Sequence, residues 1–251
     1  MLKVRVIPTL LYRDFGLVKG VRFDSWRHVG GAMQAIKVYN MRSVDEIAFL
    51  DVAATPGGSS PDFTLIDDLA DDCFMPMAVG GGVRSVDDFR RLLQVGADKV
   101  VIGTAAVTTP DVVAQAASRF GSQCVVVAVD TATSNGSVPT VRIRCGREDT
   151  GRDPVAVASE LEALGAGEVL LTSIDQDGTM EGYDLETLRR VCDAVSIPVI
   201  ASGGAGSYED MTDALVAGAS AVAAASIFLF THLTPMGAKE HLRSRGVPVR
   251  L

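Results

Sequence analysis

Residues 76–104, PMAVGGGVRSVDDFRRLLQVGADKVVIGT, decide how this chain folds, because the same pattern returns later in it. Displaced by 122 positions and without a gap, they overlay residues 198–226, PVIASGGAGSYEDMTDALVAGASAVAAAS. Nine of the 29 pairs are identical, where average composition would give about two. Each copy reads as an apolar run, a glycine turn, an amphipathic stretch and a second apolar run, which is a strand–helix–strand unit. The same displacement brings Glu46 onto Glu168.

Outward from this repeat, short β-branched or apolar runs occur eight times: 4–11, 47–51, 75–79, 100–104, 125–130, 169–174, 198–202 and 221–228. Helix-like segments at 85–95, 110–120, 154–164, 185–194 and 208–217 lie between them. Strands alternating with helices build a parallel sheet. An open doubly wound sheet has no reason to repeat at half its length, whereas a barrel closed from two four-strand halves does. The expected fold is therefore an α/β (β/α)8 barrel occupying 1–251 as one domain, with half-barrels of about 1–120 and 121–251. The length of 251 residues suits it.

Bulk composition narrows the partners. A net charge of −8 argues against nucleic acid. No apolar run approaches the ~20 residues of a membrane span. The charges at Lys3 and Arg5, with no cleavage-like site, read as mature sequence, and the cytoplasm is the expected compartment. Four scattered cysteines (Cys73, Cys124, Cys145, Cys192) contain no CxxC pair and read as reduced structural thiols; no metal or cofactor is expected.

Barrel sites form at the C-terminal ends of the strands. Here those ends carry Gly80-Gly81-Gly82 beside Gly103-Thr104, and, by the repeat, Gly203-Gly204 beside Ala225-Ser226. Glycines admit a phosphate close to backbone amides, and helix N-termini point their positive ends at it. Two such corners suit a ligand phosphorylated at both ends. At the opposite end, strand alternation makes Arg5, Ile7, Thr9 and Leu11 inward, as it does Val126 and Ala128 below Asp130. Arg5, Glu46, Lys99 and Glu168 then stand at the strand entrances, two charges of each sign.

The segments VGGGVRSVDD, GADKVVIGTAAV, FGSQCVVVAVD, LGAGEVLLTSIDQDGTMEGYDLE, IPVIASGGAG and RGVPVRL closely resemble the HisF family, the cyclase subunit of imidazole glycerol phosphate synthase, across essentially the whole chain. The resemblance implies a glutaminase docked at the N-terminal barrel face. It also implies ammonia passing through the barrel to a bisphosphorylated ribulosyl carboxamide nucleotide. By the same resemblance Asp130 is the acid–base carboxylate and Lys19, in LVKGVRF, a substrate-loop lysine. Gly82 and Thr104 match one phosphate corner; Asp177, Gly178, Gly204, Ala225 and Ser226 match the other. The four entrance charges match an ammonia gate. Read from its surroundings alone, Lys19 is an ordinary solvated lysine in a long surface loop; for the entrance charges, which can pair two against two if they point inward, the alternative is exposed charges capping the barrel floor.

One departure matters most. Cyclase chemistry uses two carboxylates across the mouth, and the family's CLDV closes strand one where this chain reads Thr9-Leu10-Leu11-Tyr12. Leu11 cannot move a proton. Asp14 lies in the loop beyond, Gly103 replaces an asparagine, and Ala53 replaces a mouth hydroxyl. RVIPTLL, GLVKGVRF and DDCFMP resemble instead the divergent WbuZ-like (AglZ-like) branch, which implies ammonia delivery for acetamidino groups on surface sugars, alongside a sugar amidotransferase. The alternatives are a true cyclase, a non-catalytic glutaminase-activating scaffold, and a related half-barrel sugar isomerase, which also wants an aspartate where Leu11 stands.

Overall fold

The computed structural model describes residues 3–134 and 138–251. Eight parallel strands close into a barrel: Arg5–Arg13, Ile47–Asp51, Met77–Gly80, Lys99–Ile102, Val125–Ala132, Glu168–Ser173, Val199–Ser202 and Ala221–Ala224, called strands one to eight here. They neighbour one another in chain order, and strand eight returns to strand one with Arg5 beside Ala221 and Ile7 beside Ala223. With helices around it, this is the (β/α)8 barrel that the repeat implies. Among the described residues no helix is long and apolar enough to cross a membrane.

The repeat is visible in local structure. Helix Val86–Gln94 opens on a capping box in which the Ser85 hydroxyl accepts the Asp88 N–H and the Asp88 carboxylate accepts the Ser85 N–H. Helix Tyr208–Val216 opens on the same box made by Ser207 and Asp210, each 122 residues on. Such a cap contributes about 1 kcal/mol. The first helix buries Phe89 and Leu92 on the barrel, the second Met211 and Ala214.

Two of the apolar runs are shorter strands than the sequence suggests. Strand four stops at Ile102 rather than residue 104, and strand eight at Ala224 rather than 228. Gly103 and Ala225 leave the extended conformation, and short helices Thr104–Thr108 and Ser226–Phe230 begin there. Both runs stay apolar past the turn because the helix that follows is itself buried, so composition alone does not mark the boundary.

Strand parity is as expected. Ile7, Ala48, Ala78, Val101, Val126, Leu170, Ile200, Ala221 and Ala223 form an inner core. Large and small residues face each other across the repeat: Ala48 against Leu170, Ala78 against Ile200, Val101 against Ala223. Each half supplies the bulk that the other lacks, the complementary filling that a barrel interior needs. A second, larger core lies between the strands and the helices. The last helix, Pro235–Ser244, is anchored by Lys239, 1% exposed, whose ammonium donates to the Ser43 carbonyl at 2.8 Å and pairs with Asp45 at 3.2 Å.

Candidate functional site

A cavity of about 1130 Å³, mouth included, opens at the C-terminal ends of the strands. Both glycine corners line it, as do Leu11, Lys19 and Asp130, so the structure brings the expected mouth residues into one space. Gly82 and Gly204 have φ of +72° and +112°. A Cβ on Gly82 would lie 2.6 Å from the Ser59 carbonyl oxygen, and one on Gly204 only 1.9 Å from that of Gly182. Glycine is therefore required for the turns themselves, and the turns set backbone against the cavity. The helices beginning at Thr104 and Ser226 carry no side-chain cap. In corner one the Gly82 N–H donates to the Thr55 hydroxyl at 3.2 Å, and the Thr104 hydroxyl accepts the Arg144 N–H at 2.9 Å.

Asp130 ends the inward-facing row of strand five. Burial, and then the neighbouring Asp177 carboxylate, push it up to about 7, against a hydrogen bond from Thr172 that favours the charged form. A carboxyl poised near neutrality can both give and take a proton at working pH. Leu11 is 8% exposed, lines the same cavity and is registered beside Leu50 on strand two. Where the resemblance places a second acid, the wall is hydrocarbon. Asp14 does not replace it: it sits at φ +58° on an exposed turn, outside this cavity.

Lys19 is not the solvated loop lysine that its sequence surroundings suggest. Tyr12 and Arg13 pair with Leu17 and Gly16, and Gly16–Val21 pairs antiparallel with Asp24–Gly30, so Lys19 lies on an ordered hairpin over the mouth. It is 2% exposed, and its ammonium pairs with Asp177 at 2.7 Å. One oxygen of the Asp177 carboxylate holds Lys19, and the Asp177 N–H donates to the Ser173 and Ile174 carbonyls. The next residue of its loop, Gly178, packs against the Gly20 carbonyl of the same hairpin.

Several lining residues were not singled out by the sequence. Asp51, the last residue of strand two, is raised by burial despite accepting the Ala53 and Ala54 N–H groups at 2.8 and 3.0 Å. Its place at a strand end was the available signal. Phe23 and Trp26 arrive on the hairpin, and Cys145 on the turn after Thr140–Ile143, which pairs back onto strand five. Burial and then Asp130 push the Cys145 thiol up to about 12, so it stands protonated and donates to the Val52 carbonyl at 3.3 Å. No short-range pattern announces these contacts.

At the other end of the barrel the entrance charges form a closed ring. Arg5 pairs with Glu46 at 2.6 Å and with Glu168 at 2.9 Å; Lys99 pairs with the same two at 2.8 and 3.0 Å. Burial works against the Arg5 charge, but Glu46 and Glu168 outweigh it and hold the guanidinium above its ordinary value. The repeat places Ala221 at the position of Lys99, and Arg5 from the adjoining strand fills that vacancy. The ring is balanced, two charges of each sign, and the inner apolar core separates it from the cavity.

The barrel, its half-length repeat and the paired mouth corners agree with a comparison to known families. A family model described as histidine biosynthesis protein matches residues 5–234, nearly the whole barrel, and the chain belongs to that family, the HisA/HisF barrels.

Proposed function

We propose that this chain is a HisF-type barrel that receives ammonia from a glutaminase at its N-terminal face and delivers it at the opposite mouth, within acetamidino-sugar synthesis. The observation that carries the reading is the balanced ring of Arg5, Glu46, Lys99 and Glu168 beneath a wholly apolar core. An ion crossing that core would lose its hydration at a far larger cost than neutral ammonia would, so the layer favours the neutral molecule over its ion. Met41 and Phe74, at the approaches to strands two and three, are 78% and 84% exposed. Large apolar side chains bare at this end of the barrel favour a protein partner there.

Leu11 supports specialisation away from cyclisation, since it removes one of two proton-moving groups. The retained Asp130, held near neutrality, favours the second reading, a working cyclase of histidine biosynthesis. The purified protein, supplied with the bisphosphorylated ribulosyl carboxamide nucleotide and an ammonium salt, separates the two through loss of substrate absorbance. Turnover in the ordinary range of about 1–10³ s⁻¹ would establish the cyclase. Negligible turnover, with stimulation of a co-expressed glutaminase, supports the delivery role. If the Lys99→Glu protein then stimulates the glutaminase as the native chain does and changes no downstream product, the barrel is only a scaffold.

A further inference from the structure

The chargeable groups in the cavity wall do not balance. Among its lining residues are three carboxylates, Asp51, Asp130 and Asp177, and one cation, Lys19. Asp51 is stabilised by two backbone N–H groups, and Asp177 by Lys19. Among the described residues Asp130 has no cationic partner. From its own strand and the elements around it, the described groups that it meets are the Thr172 hydroxyl, the Asp177 carboxylate and the neutral Cys145 thiol. Arg142, registered across from Asp130 on the returning strand, is engaged with Asp149 at 3.1 Å and with Ser134. A dianion entering such a space meets net negative charge unless something changes.

We propose that an anion is bound in this cavity together with a proton, with Lys19 as its fixed counter-charge, Asp177 as the residue that holds Lys19 in place, and Asp130 as the group that takes the proton. The proposal rests on the reading above that the mouth receives a phosphorylated ligand. Lys19 is nearly sealed from solvent, pairs with Asp177 and lines the cavity beside corner two, so a phosphate group there shares it rather than recruiting a cation from outside. Once shared, Lys19 screens Asp177 less, and the added anion and the less-screened Asp177 both favour the protonated form of Asp130. Asp130 stands near 7, so above neutrality its protonation accompanies binding of the anion. Asp177 acts here through Lys19 and is a positioning residue rather than a phosphate ligand.

Sulfate is the suitable probe, since its charge is constant from pH 6 to 8. Trp26 is the only tryptophan and lines the cavity, so its fluorescence reports occupancy in the intact chain. At constant ionic strength, sulfate affinity should fall about tenfold from pH 6 to pH 8, the change expected when one group of pKa about 7 must be protonated for binding. Asp130→Asn should bind sulfate with little pH dependence, near the native affinity at pH 6. Lys19→Met should lose binding at both pH values. Calorimetry on the native protein in buffers of different ionisation heat, at pH 8, should show close to one proton taken up per sulfate, independently of how any variant folds. Native affinity equal at the two pH values, or no proton uptake, overturns the proposal while leaving the anion site intact. Absence of sulfate binding even at pH 6 removes the phosphorylated-ligand reading itself.

Discussion

Replacing Asp130 with asparagine tests the mouth electrostatics without any assumption about substrate. In the folded protein Asp130 is raised from 3.8 to about 7, chiefly by burial. The folded state therefore holds that proton more tightly than the unfolded chain does. This favours folding below the unfolded value and is lost progressively as pH rises from about 4 to about 7. At about 1.36 kcal/mol per pKa unit, the full loss has a ceiling of about 4 kcal/mol. Asparagine cannot ionise, so the variant escapes this loss; it weakens the contact with Thr172, at a cost of about 1 kcal/mol. The expected outcome is a variant more stable than the native protein by about 3 kcal/mol at pH 8, with the gain largely gone at pH 4.5. Urea unfolding of both proteins at the two pH values measures it, and titrations common to both cancel in the difference. A stability difference that is unchanged between pH 4.5 and 8, or a variant less stable at pH 8, would refute the reasoning.

Other outcomes follow from the same geometry. Lys99→Glu puts a third acid into the ring in place of a base; it should cost about 3–5 kcal/mol in denaturant unfolding and loosen the ratio of glutamine hydrolysed to product formed. Leu11→Asp, assayed as folded protein with nucleotide and ammonium, should raise cyclisation by ~10²–10⁴-fold; no increase would mean that the rest of the mouth is no longer arranged for that substrate. Gly204→Ala drives a Cβ to 1.9 Å from the Gly182 oxygen at φ +112°, and its thermal unfolding should show a loss of at least about 2 kcal/mol. Crystals soaked in sulfate should show one anion near Gly82 and Thr104 and another near Gly204 and Ser226.

What could be read from sequence divides along physical lines. The barrel was legible because a half-length repeat carries its own topology, and the ring in part, because strand parity puts Arg5 inward and Glu46, Lys99 and Glu168 stand at neighbouring strand entrances with charges that can pair. The corners were legible because only glycine fits where Gly82 and Gly204 press on neighbouring carbonyls. Lys19 was legible through the resemblance but not from its surroundings, because its partner, Asp177, is 158 residues away and is met only when the hairpin folds over the mouth. Trp26 and Cys145 escaped notice for the same reason. The ends of strands four and eight were overrun because Val101, Ile102, Ala223 and Ala224 run into helices that are themselves buried, so hydrophobicity does not change where the backbone does.

The alternation of large and small side chains inside the barrel bears on ancestry. A barrel made of two identical first halves would hold alanine at both the 48 and 170 positions and at both 78 and 200, dispensing with Leu170 and Ile200 and gaining only a second valine for Ala223. Each such loss opens a void worth about 2–5 kcal/mol. Two identical second halves would instead crowd Leu170 and Ile200 against copies of themselves, and overpacking is also destabilising. Neither half now suits a symmetric partner. Whatever self-pairing ancestor the repeat descends from, these residues have since diverged into complementary shapes, and separately expressed halves should assemble with each other in preference to pairing with their own kind.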